Sequence, residues 1–507
     1  MKKRIKILFL TVILLTFHTL RTYSQLVSDF KVNDDTTAGS QTRGNIGIDA
    51  EGNFFICWDD RRSGLNVYCQ KYTFNAVPIG YNFVINEDNG FAYNSCIAMR
   101  DNGNFAVCFY QNQHLKIRLL NSDGVYITDD IVFNDTPLVL FSRPSIGVDR
   151  LGNYIVTWTN KSGSENLDLV YYQRFDSSGN RIGSNIRVND DPGNKGHLNS
   201  GITVRQDRSF IICWEDSRPP ANNGVEDIYL QMYDSTGTPI GANRKVNDDI
   251  DTMNTQINPV ISSDFIGNFI IIWPDSRNDF LESELFGQAY DKMGIKIGNN
   301  FRLDNSKNGI NSRELSKRSD GFYVVGWNQD VSFVDVPYFR RFDTSDMSIG
   351  SSYLVTSQFA SSDKIYTDIK LFRNKVFSVW IDSRNGNFDI YCNIRSFSNP
   401  DTTVKINYTS NIIPSDFQLF QNYPNPFNPK TVIKYKLAAG SFASLKVFDL
   451  LGKEVAVLVN EKQNAGSYSV EWDASSLPSG AYIYKMSITS DNGKEVFTDR
   501  KKLVLVK

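Results

Sequence analysis

A short block of sequence recurs along the chain and decides its fold. Residues 52–62 read Gly-Asn-Phe-Phe-Ile-Cys-Trp-Asp-Asp-Arg-Arg, which is a turn, an apolar strand ending in an aromatic residue, and a charged tail. Related strands end at seven aromatic anchors: Trp58, Phe109, Trp158, Trp214, Trp273, Trp327 and Trp380. Successive anchors are 49 to 59 residues apart. A period of this length is typical of folds built from repeated supersecondary units.

Each repeat contains further strand and turn signals. A second apolar strand follows the anchor, as at 227–234, and after a glycine turn a third strand closes on Val-Asn-Asp. About four short strands per repeat, without helical periodicity, predict an all-β fold with a seven-bladed β-propeller over 25–398. A solenoid is the alternative topology. Residues 30–35 precede the first anchor, so we expect them to complete the last blade and close the ring.

Four anchors continue as a Trp-x-Asp-x-Arg motif. The motifs are Trp58/Asp60/Arg62, Trp214/Asp216/Arg218, Trp273/Asp275/Arg277 and Trp380/Asp382/Arg384. A carboxylate just beyond a strand can cap backbone N–H groups and pair with the guanidinium. Because a catalytic group needs one unique environment, recurrence in four blades indicates a structural role. We therefore assign no catalytic, cofactor-binding or metal-ligating residue.

The Val-Asn-Asp-Asp turns are the one candidate for a cofactor. Several oxygens stand close together there, so the turns could bind Ca²⁺. They lack the alternate ligand spacing of a dedicated Ca²⁺ loop, and an Asx turn is the favoured interpretation. We expect no cofactor, with Ca²⁺ as the alternative.

Ligand candidates are rings outside the repeated strand positions. The anchors themselves are expected in the core between blades, where buried aromatic residues are common. Tyr81, Phe91, Tyr93 and Phe280 lie in connecting segments and are better placed to meet a ligand.

Six cysteines offer two possible cross-strand disulfides. If Trp58 faces Tyr68 in a hairpin, Cys57 faces Cys69, and in the next repeat Cys96 faces Cys108. An exported protein can keep such bonds. The same residues could instead be small buried strand residues.

The N-terminus carries an export signal. Lys2, Lys3, Arg4 and Lys6 precede an apolar run at 7–17, and Thr22 and Ser24 are small residues suited to cleavage. This pattern predicts a signal peptide over 1–24, since the apolar run is too short to span a bilayer. No later stretch predicts a transmembrane segment.

Composition excludes several function classes. The 507 residues include 54 Lys+Arg, 56 Asp+Glu and only three His. Residues 25–416 carry 37 basic against 48 acidic residues, a net charge of −11. An acidic body argues against a nucleic-acid or anionic-membrane partner, which needs clustered Lys and Arg. So few histidines make a His-rich metal site hard to build.

The last 90 residues form a separate module. A polar linker is expected over 399–416, and six or seven predicted strands over 417–507 favour a small Ig-like β-sandwich. The residues that mark this module are Asn422-Tyr423-Pro424-Asn425-Pro426-Phe427-Asn428-Pro429, Gly452, Gly480, Tyr482 and the terminal Lys507. In this pattern and order the module closely resembles the type A C-terminal sorting domain of proteins exported by the type IX secretion system.

The resemblance implies a route and a partner. It implies passage through the periplasm and outer membrane with the type IX machinery as partner, then secretion or attachment to the outer face of that membrane. For the propeller we expect non-catalytic binding of a protein or glycan through one face or its channel. A hydrolase or lyase acting on polysaccharides is the alternative, although no nucleophile elbow, P-loop or zinc-protease motif is present. A passive surface protein is a third possibility.

Overall fold

The computed structural model describes residues 25–88, 90–138, 143–162, 167–191, 196–218, 225–249, 254–278, 283–303, 310–318, 321–330, 334–342, 348–356, 363–396, 405–410, 416–463, 465–474, 477–490 and 494–506. The expected signal peptide, Phe280 and Lys507 lie outside these ranges. The described residues form strands and turns without a helix. Accordingly, none of them belongs to a helix able to cross a bilayer.

Twenty-eight strands build the first part of the chain. They are β1 (Gln25–Lys31), β2 (Gln41–Ile48), β3 (Phe54–Asp60), β4 (Asn66–Tyr72), β5 (Pro78–Val84), β6 (Ala92–Met99), β7 (Phe105–Gln111), β8 (His114–Leu120), β9 (Ile131–Val132), β10 (Ser145–Val148), β11 (Tyr154–Ser162), β12 (Leu167–Phe175), β13 (Arg181–Arg187), β14 (His197–Val204), β15 (Phe210–Asp216), β16 (Asp227–Tyr233), β17 (Pro239–Lys245), β18 (Val260–Ser263), β19 (Phe269–Asp275), β20 (Glu284–Tyr290), β21 (Lys296–Arg302), β22 (Ile310–Lys317), β23 (Tyr323–Asp330), β24 (Asp335–Phe342), β25 (Ser348–Leu354), β26 (Lys364–Phe372), β27 (Lys375–Asp382) and β28 (Asp389–Ser396).

These strands form seven four-stranded antiparallel sheets. Blades 1 to 6 each take four consecutive strands, from β2–β5 through β22–β25. Blade 7 has the order β26-β27-β28-β1, so the first strand of the chain completes the last blade. Lys31 of β1 faces Tyr391 of β28, and the Val32 N–H donates to the Ile390 carbonyl. The predicted ring closure and the seven-bladed propeller are confirmed.

The first strands of neighbouring blades contact one another around the whole ring, including β26 with β2. First strands therefore surround the propeller axis, and fourth strands form the outer rim. Second strands such as β3 and β15 are buried along their full length, because they have a neighbouring strand on each side and a neighbouring blade on each face. This is why the anchor blocks are continuous apolar runs rather than alternating ones.

The hydrophobic core lies between blades. Seven clusters of buried side chains each join two neighbouring sheets, so every interface of the ring has its own cluster. At the seam, Trp58 of blade 1 shares a cluster with Phe377 and Val379 of blade 7. The six tryptophan anchors are at most 1% exposed. A single blade could not bury these rings alone.

Eight further strands form the C-terminal unit, two sheets around one hydrophobic cluster as in a small Ig-like sandwich. They are β29 (Lys405–Ser410), β30 (Gln418–Leu419), β31 (Lys430–Leu437), β32 (Ser441–Phe448), β33 (Glu454–Gln463), β34 (Gly466–Asp473), β35 (Gly480–Thr489) and β36 (Glu495–Leu505). One sheet has the order β29-β34-β31-β30 and the other β33-β32-β35-β36. Strand β29 falls inside the expected linker and pairs with β34. Residues 405–410 therefore extend a sheet of the sandwich, because an edge strand of that sheet offers them free backbone groups.

Candidate ligand-binding site at the upper mouth of the propeller

The Trp-x-Asp-x-Arg motifs define one face of the ring. Each motif lies at the end of the second strand of its blade. The first strand runs antiparallel to the second, so it begins at that same end, and the link from the preceding blade enters there. We call this end the upper face. Its axial part, where the first strands begin, is called the upper mouth.

The motif aspartates are fully engaged by neighbours. All four are completely buried. The tryptophan Nε1 donates to the carboxylate at 2.7, 2.8, 2.8 and 3.1 Å in the four motifs. The arginine backbone N–H donates to it at 2.8 to 2.9 Å, and the guanidinium donates as well. No carboxylate oxygen is left to act on a substrate.

The motif arginines also fasten neighbouring blades. Each guanidinium lies 4.2 to 4.3 Å over an aromatic ring of the third strand. In blade 4, Arg218 Nη1 donates to Asp190 Oδ1 at 2.7 Å, in the link that leaves blade 3. Arg62 with Asp34 and Arg277 with Asp248 repeat this contact. Burial opposes the charged form, but the bonds to Asp60 and Asp34 raise the pKa of Arg62 above its usual value.

A rim asparagine completes each of these contacts. In blade 5, Asn300 of β21 exchanges two hydrogen bonds with Asp248, at 2.8 and 3.0 Å. Asn82 with Asp34 and Asn243 with Asp190 make the same exchange. We call each Asp-Arg-Asn set a blade clamp. Sequence reasoning missed the asparagines, although Ile-Gly-x-Asn recurs at 79–82, 182–185, 240–243 and 297–300.

The Val-Asn-Asp-Asp turns present their oxygens to N–H donors. Asn33 Oδ1 accepts the Ile390 N–H at 2.9 Å, and Asn247 Oδ1 accepts the Ile228 N–H at 2.9 Å. Asn33 Nδ2 donates to Asp35 Oδ1 at 2.7 Å. This is the geometry of an Asx-type lock on the third strand.

The link from blade 3 into blade 4 brings together three residues with metal-ligating atoms, Asp191, His197 and Asp216. His197 Nε2 lies 2.9 Å from Asp191 Oδ1 and 3.5 Å from Asp216 Oδ2. In blades 1 and 5 the same position holds Gln41 and Gln256, whose Nε2 donates to the equivalent aspartates. Because His197 Nδ1 donates to the Asp168 carbonyl at 2.7 Å, Nε2 can match the glutamine donors only in the imidazolium form, in which both ring nitrogens carry a proton.

A β-bulge at the start of the first strand recurs around the upper mouth. Its first residue is left-handed in four blades: Arg43 (φ 58°), Asn94 (φ 59°), Asn199 (φ 49°) and Asn258 (φ 52°). Asparagine tolerates this conformation better than most residues, whereas arginine does not. The bulges place these residues and their neighbours at the axial end of the blades.

The residue between the motif tryptophan and aspartate supports the bulges in two blades. Asp59 accepts the backbone N–H groups of Asn94 at 2.8 Å and Ser95 at 3.2 Å, from the next blade. Glu215 accepts Asn199 Nδ2 at 2.8 Å and the Asn258 N–H. Burial raises the pKa of Asp59 above its usual value, while these donors act in the opposite direction.

Arg43, Tyr93 and Arg143 lie at or just before the starts of the first strands of blades 1, 2 and 3. Arg43 Nε lies 3.9 Å from Asp59 Oδ2, and its side chain is 37% exposed. Burial, and then the charge of Arg143, lower the pKa of Arg43. The Tyr93 ring packs 5.1 Å from that of Tyr110, and burial raises the pKa of Tyr93 to about 12.

Exposed aromatic surface adjoins this group. Phe91 precedes β6 and is 71% exposed. Successive side chains of a strand point to opposite sides. Phe91 and Tyr93 therefore lie on the side opposite the buried Ala92. Tyr81, in contrast, lies on the outer rim in β5, 87% exposed and far from the axis. Of the four predicted rings, Phe91 and Tyr93 belong to the upper mouth, Tyr81 does not, and Phe280 is outside the described residues.

A carboxylate pair lies on the same face in blade 4. Burial and the charge of Glu215 raise the pKa of Glu226 above its usual value. Glu226 is half-buried, and its backbone carbonyl accepts the Gln256 N–H at 2.9 Å. Paired acids in different environments can divide the roles of proton donor and charged carboxylate.

The opposite face holds a groove of about 260 Å³ between blades 1 and 2. Its walls include acidic residues, but Asp49 Oδ1 already accepts the backbone N–H groups of Glu51 and Asn53 at 2.9 and 2.8 Å. The groove is therefore lined in part by a turn whose aspartate is hydrogen-bonded to the backbone of that same turn.

The two cysteine pairs differ in bonding. Cys57 and Cys69 face each other and form a disulfide with Cα atoms 4.0 Å apart. Cys96 and Cys108 are also register partners but are free thiols, as are Cys213 and Cys392. Burial, and then a hydrogen bond to Cys96, raise the pKa of Cys108.

The tail motif residues have structural positions within the sandwich. The Asn422 N–H donates to the Tyr484 hydroxyl at 2.8 Å, and Asn422 Nδ2 donates to Thr431 Oγ1 at 3.0 Å. Phe427 is buried with its ring 5.6 Å from that of Trp472. The remaining motif residues are the exposed Tyr423, Pro424, Asn425, Pro426 and Asn428, the half-buried Pro429, the turn residue Gly452, the exposed Gly480 and the buried Tyr482.

Sequence reasoning did not identify Arg43, Arg143 or Glu226. A signal for the first was present: residues 41–46, 92–97, 197–202 and 256–261 can be aligned, and Arg43 stands where the others have Asn. Arg143 carries the same signal, because residues 143–147 align with residues 43–47. Glu226 shows no pattern along the chain, because it meets Glu215 only in the folded blade.

Comparisons with known proteins identify the tail. Residues 421–505 match the family model of the secretion system C-terminal sorting domain, which confirms the resemblance. The domain marks the chain as type IX cargo that is exported and then secreted or attached to the outer-membrane surface. No curated protein matches the sequence.

Several solved structures resemble the chain distantly. A protein of unknown function from Dyadobacter fermentans aligns with 10% identity and a TM-score of 0.45, covering 74% of this chain and 99% of that one. An ulvan lyase aligns with 9% identity and a TM-score of 0.47, over 74% and 96%. An α-L-arabinofuranosidase of Fusarium graminearum aligns with 9% identity and a TM-score of 0.42, over 73% and 97%. These likenesses are too distant to assign an activity.

Proposed function

Because residues 421–505 are a sorting domain, we propose that this chain is an exported protein whose propeller binds a protein or glycan ligand at the upper mouth without changing it chemically. The observation that carries the proposal is that Arg43, Tyr93 and the exposed Phe91 all lie where the first strands of blades 1 and 2 begin, at the upper mouth. Binding sites combine apolar and aromatic surface with a few polar groups that fix orientation. The recurrent acids do not offer an alternative centre, since their oxygens are engaged within the blades.

Two matched variants test where the ligand binds. The full chain is applied to immobilised glycans and proteins, with and without Ca²⁺. We expect saturable binding that Phe91→Ser reduces at least tenfold and that Tyr81→Ser leaves unchanged, because both rings are exposed but only Phe91 lies at the mouth. Equal losses in both variants, or a loss only in Tyr81→Ser, would place the ligand elsewhere. Loss of binding with a chelator would assign Ca²⁺ to the Asn-Asp turns.

The carboxylate pair supports a second candidate, a hydrolase or lyase acting on polysaccharides. A carboxyl with a raised pKa is better suited to donate a proton to a leaving group, and burial and the charge of Glu215 raise the pKa of Glu226. Incubation with polysaccharides would then release new chain ends, and Glu226→Gln would abolish the release. If binding is saturable and no new ends appear over prolonged incubation, the enzyme candidate is wrong.

A further inference from the structure

We propose that the ligand of the upper mouth is an acidic glycan, with the carboxylate of a uronic acid held between Arg43 and Arg143 and the sugar ring against Phe91 and Tyr93. The inference rests on the proposed function and names the ligand class of the same site.

The first argument is the unsatisfied guanidinium of Arg43. Among the described residues no acceptor lies within hydrogen-bond distance of it, since Asp59 is 3.9 Å away. The oxygens of Asp59 already accept the Asn94 and Ser95 N–H groups and the Ser95 hydroxyl, at 2.8, 3.2 and 2.8 Å. Arg43 therefore presents several free donors to the mouth.

The second argument is charge. Arg143 is exposed and holds in blade 3 the position that Arg43 holds in blade 1, because Ser145 faces Thr157 as Asn45 faces Cys57. Burial, and then the charge of Arg143, lower the pKa of Arg43. Asp59, 3.9 Å from Arg43, already accepts hydrogen bonds from Asn94 and Ser95, so Arg43 has no hydrogen-bonded counterion among the described residues. A ligand carboxylate would supply that counterion and would accept charge-assisted hydrogen bonds from the planar arginine fork.

The third argument is backbone conformation. Arg43 occupies a left-handed position, φ 58°, that three other blades fill with asparagine. Most side chains are disfavoured in this left-handed region, which asparagine tolerates better. A strained residue persists where its surroundings or a function require it. At this position the strained backbone carries the Arg43 guanidinium at the upper mouth.

The aromatic neighbours favour a glycan over an acidic peptide. A uronic acid carries its carboxylate directly on a ring that has apolar C–H faces. Phe91 and Tyr93 offer apolar ring surface at the start of β6, and Tyr93 packs toward blade 3, the blade that Arg143 leads into. An aspartate or glutamate carries its carboxylate on a flexible stem, with no ring to contact these side chains.

The variant Arg43→Asn separates ligand binding from folding. It removes the guanidinium and installs the residue that the other bulges contain, so we expect its melting temperature to equal or exceed that of the unchanged chain. Arg61→Asn is the matched control, because Arg61 is an exposed arginine next to the blade 1 motif on the same face.

The experiment measures the Kd of the full chain for polygalacturonate, alginate and hyaluronan, and for the carboxyl-reduced forms of each. We expect at least one acidic polymer to bind saturably and its reduced form to bind at least tenfold more weakly. Arg43→Asn and Arg143→Gln should each weaken that binding at least tenfold, and Arg61→Asn should not. Poly-glutamate serves as the acidic peptide probe and should not compete.

Three outcomes would overturn the inference. If the reduced polymers bind as tightly as the acidic ones, or Arg43→Asn binds normally, the mouth does not recognise a carboxylate, although the proposed binding function stands. If poly-glutamate binds in place of the glycans, the ligand is an acidic protein. If neither these polymers nor the broader glycan and protein screen yields binding, the proposed function itself fails.

Discussion

The buried motif aspartates act through the hydrogen bonds that they accept. Asp275 accepts donors from Trp273, from the Arg277 backbone and guanidinium, and from Gln256 at 3.3 Å. An amide at this position would turn an N–H₂ group toward at least one of these donors. It would also leave the half-buried guanidinium of Arg277 without its nearest partner.

Asp275→Asn therefore separates a structural from a functional role. We expect it to lower the free energy of unfolding by about 3–5 kcal/mol, the usual effect of breaking a buried ion pair, while Kd for the ligand stays unchanged. Urea unfolding and binding titrations measure the two effects. Asp234→Asn is the control: Asp234 caps an exposed turn through Oδ1, which an amide oxygen can replace, so the free energy of unfolding should stay close to that of the unchanged chain. A motif variant that unfolds normally but no longer binds would contradict this division.

At the level of elements, the blade clamp explains why the outer strands carry asparagine. Asn300 Nδ2 donates to the Val246 carbonyl at 3.3 Å and to Gln288 Oε1 at 2.8 Å, while its Oδ1 accepts from Asp248 and Arg277. One side chain thus joins the rim strand of blade 5 to the link leaving blade 4. A rim strand has only one neighbouring strand, so these contacts replace the pairing that its outer edge lacks.

Neighbouring asparagines on one strand test the clamp. Asn300→Ala should destabilise the chain by about 1–3 kcal/mol. The reason is that Asp248 and Gln288 both lose the half-buried Asn300 side chain as a hydrogen-bond partner. Asn299→Ala removes an exposed side chain one residue earlier and should change stability by less than about 0.5 kcal/mol. Both are measured by thermal and urea unfolding. Equal effects would mean that the clamp contributes nothing beyond strand propensity.

The sequence made the blades predictable but not the mouth. Residues such as Trp58 and Val32 belong to motifs that recur along the chain. These motifs made it possible to predict the period, the anchors and the closing strand. A bulge interrupts the alternation of strand side chains, so the pattern around Arg43 does not reveal which residues face the axis. Hairpin register correctly placed Cys57 opposite Cys69 and Cys96 opposite Cys108, but register alone does not determine which pair is bonded.

At the level of the whole molecule, the ring depends on one pairing between distant segments. Strand β1 contributes Phe30 and neighbouring residues to the core between blades 7 and 1. Asp29 accepts a hydrogen bond from Asn393 at 3.0 Å, across 364 residues of sequence. Without β1, the edge of β28 and the seam core would be exposed to solvent.

Deletion of 25–31 tests the importance of the seam. We expect the variant to lose its single cooperative melting transition and to form oligomers on size-exclusion chromatography. Replacement of the same seven residues by a Gly/Ser segment should behave alike, since the pairing and not the chain length is missing. A peptide of residues 25–38 added in trans should restore a compact monomer. A deletion variant that melts normally would show that six complete blades suffice.

The position of the closing strand sets an order of events during synthesis and export. Residues 25–31 emerge early, yet their partner strand emerges only after almost the entire propeller. Until then both partners have unpaired backbone edges that proteases and other chains can reach. A molecule that stops short of 389–396 never leaves this vulnerable state, whereas a full-length molecule leaves it in one step. The seam therefore makes protease resistance a property of finished molecules, because only they have both partner strands to pair.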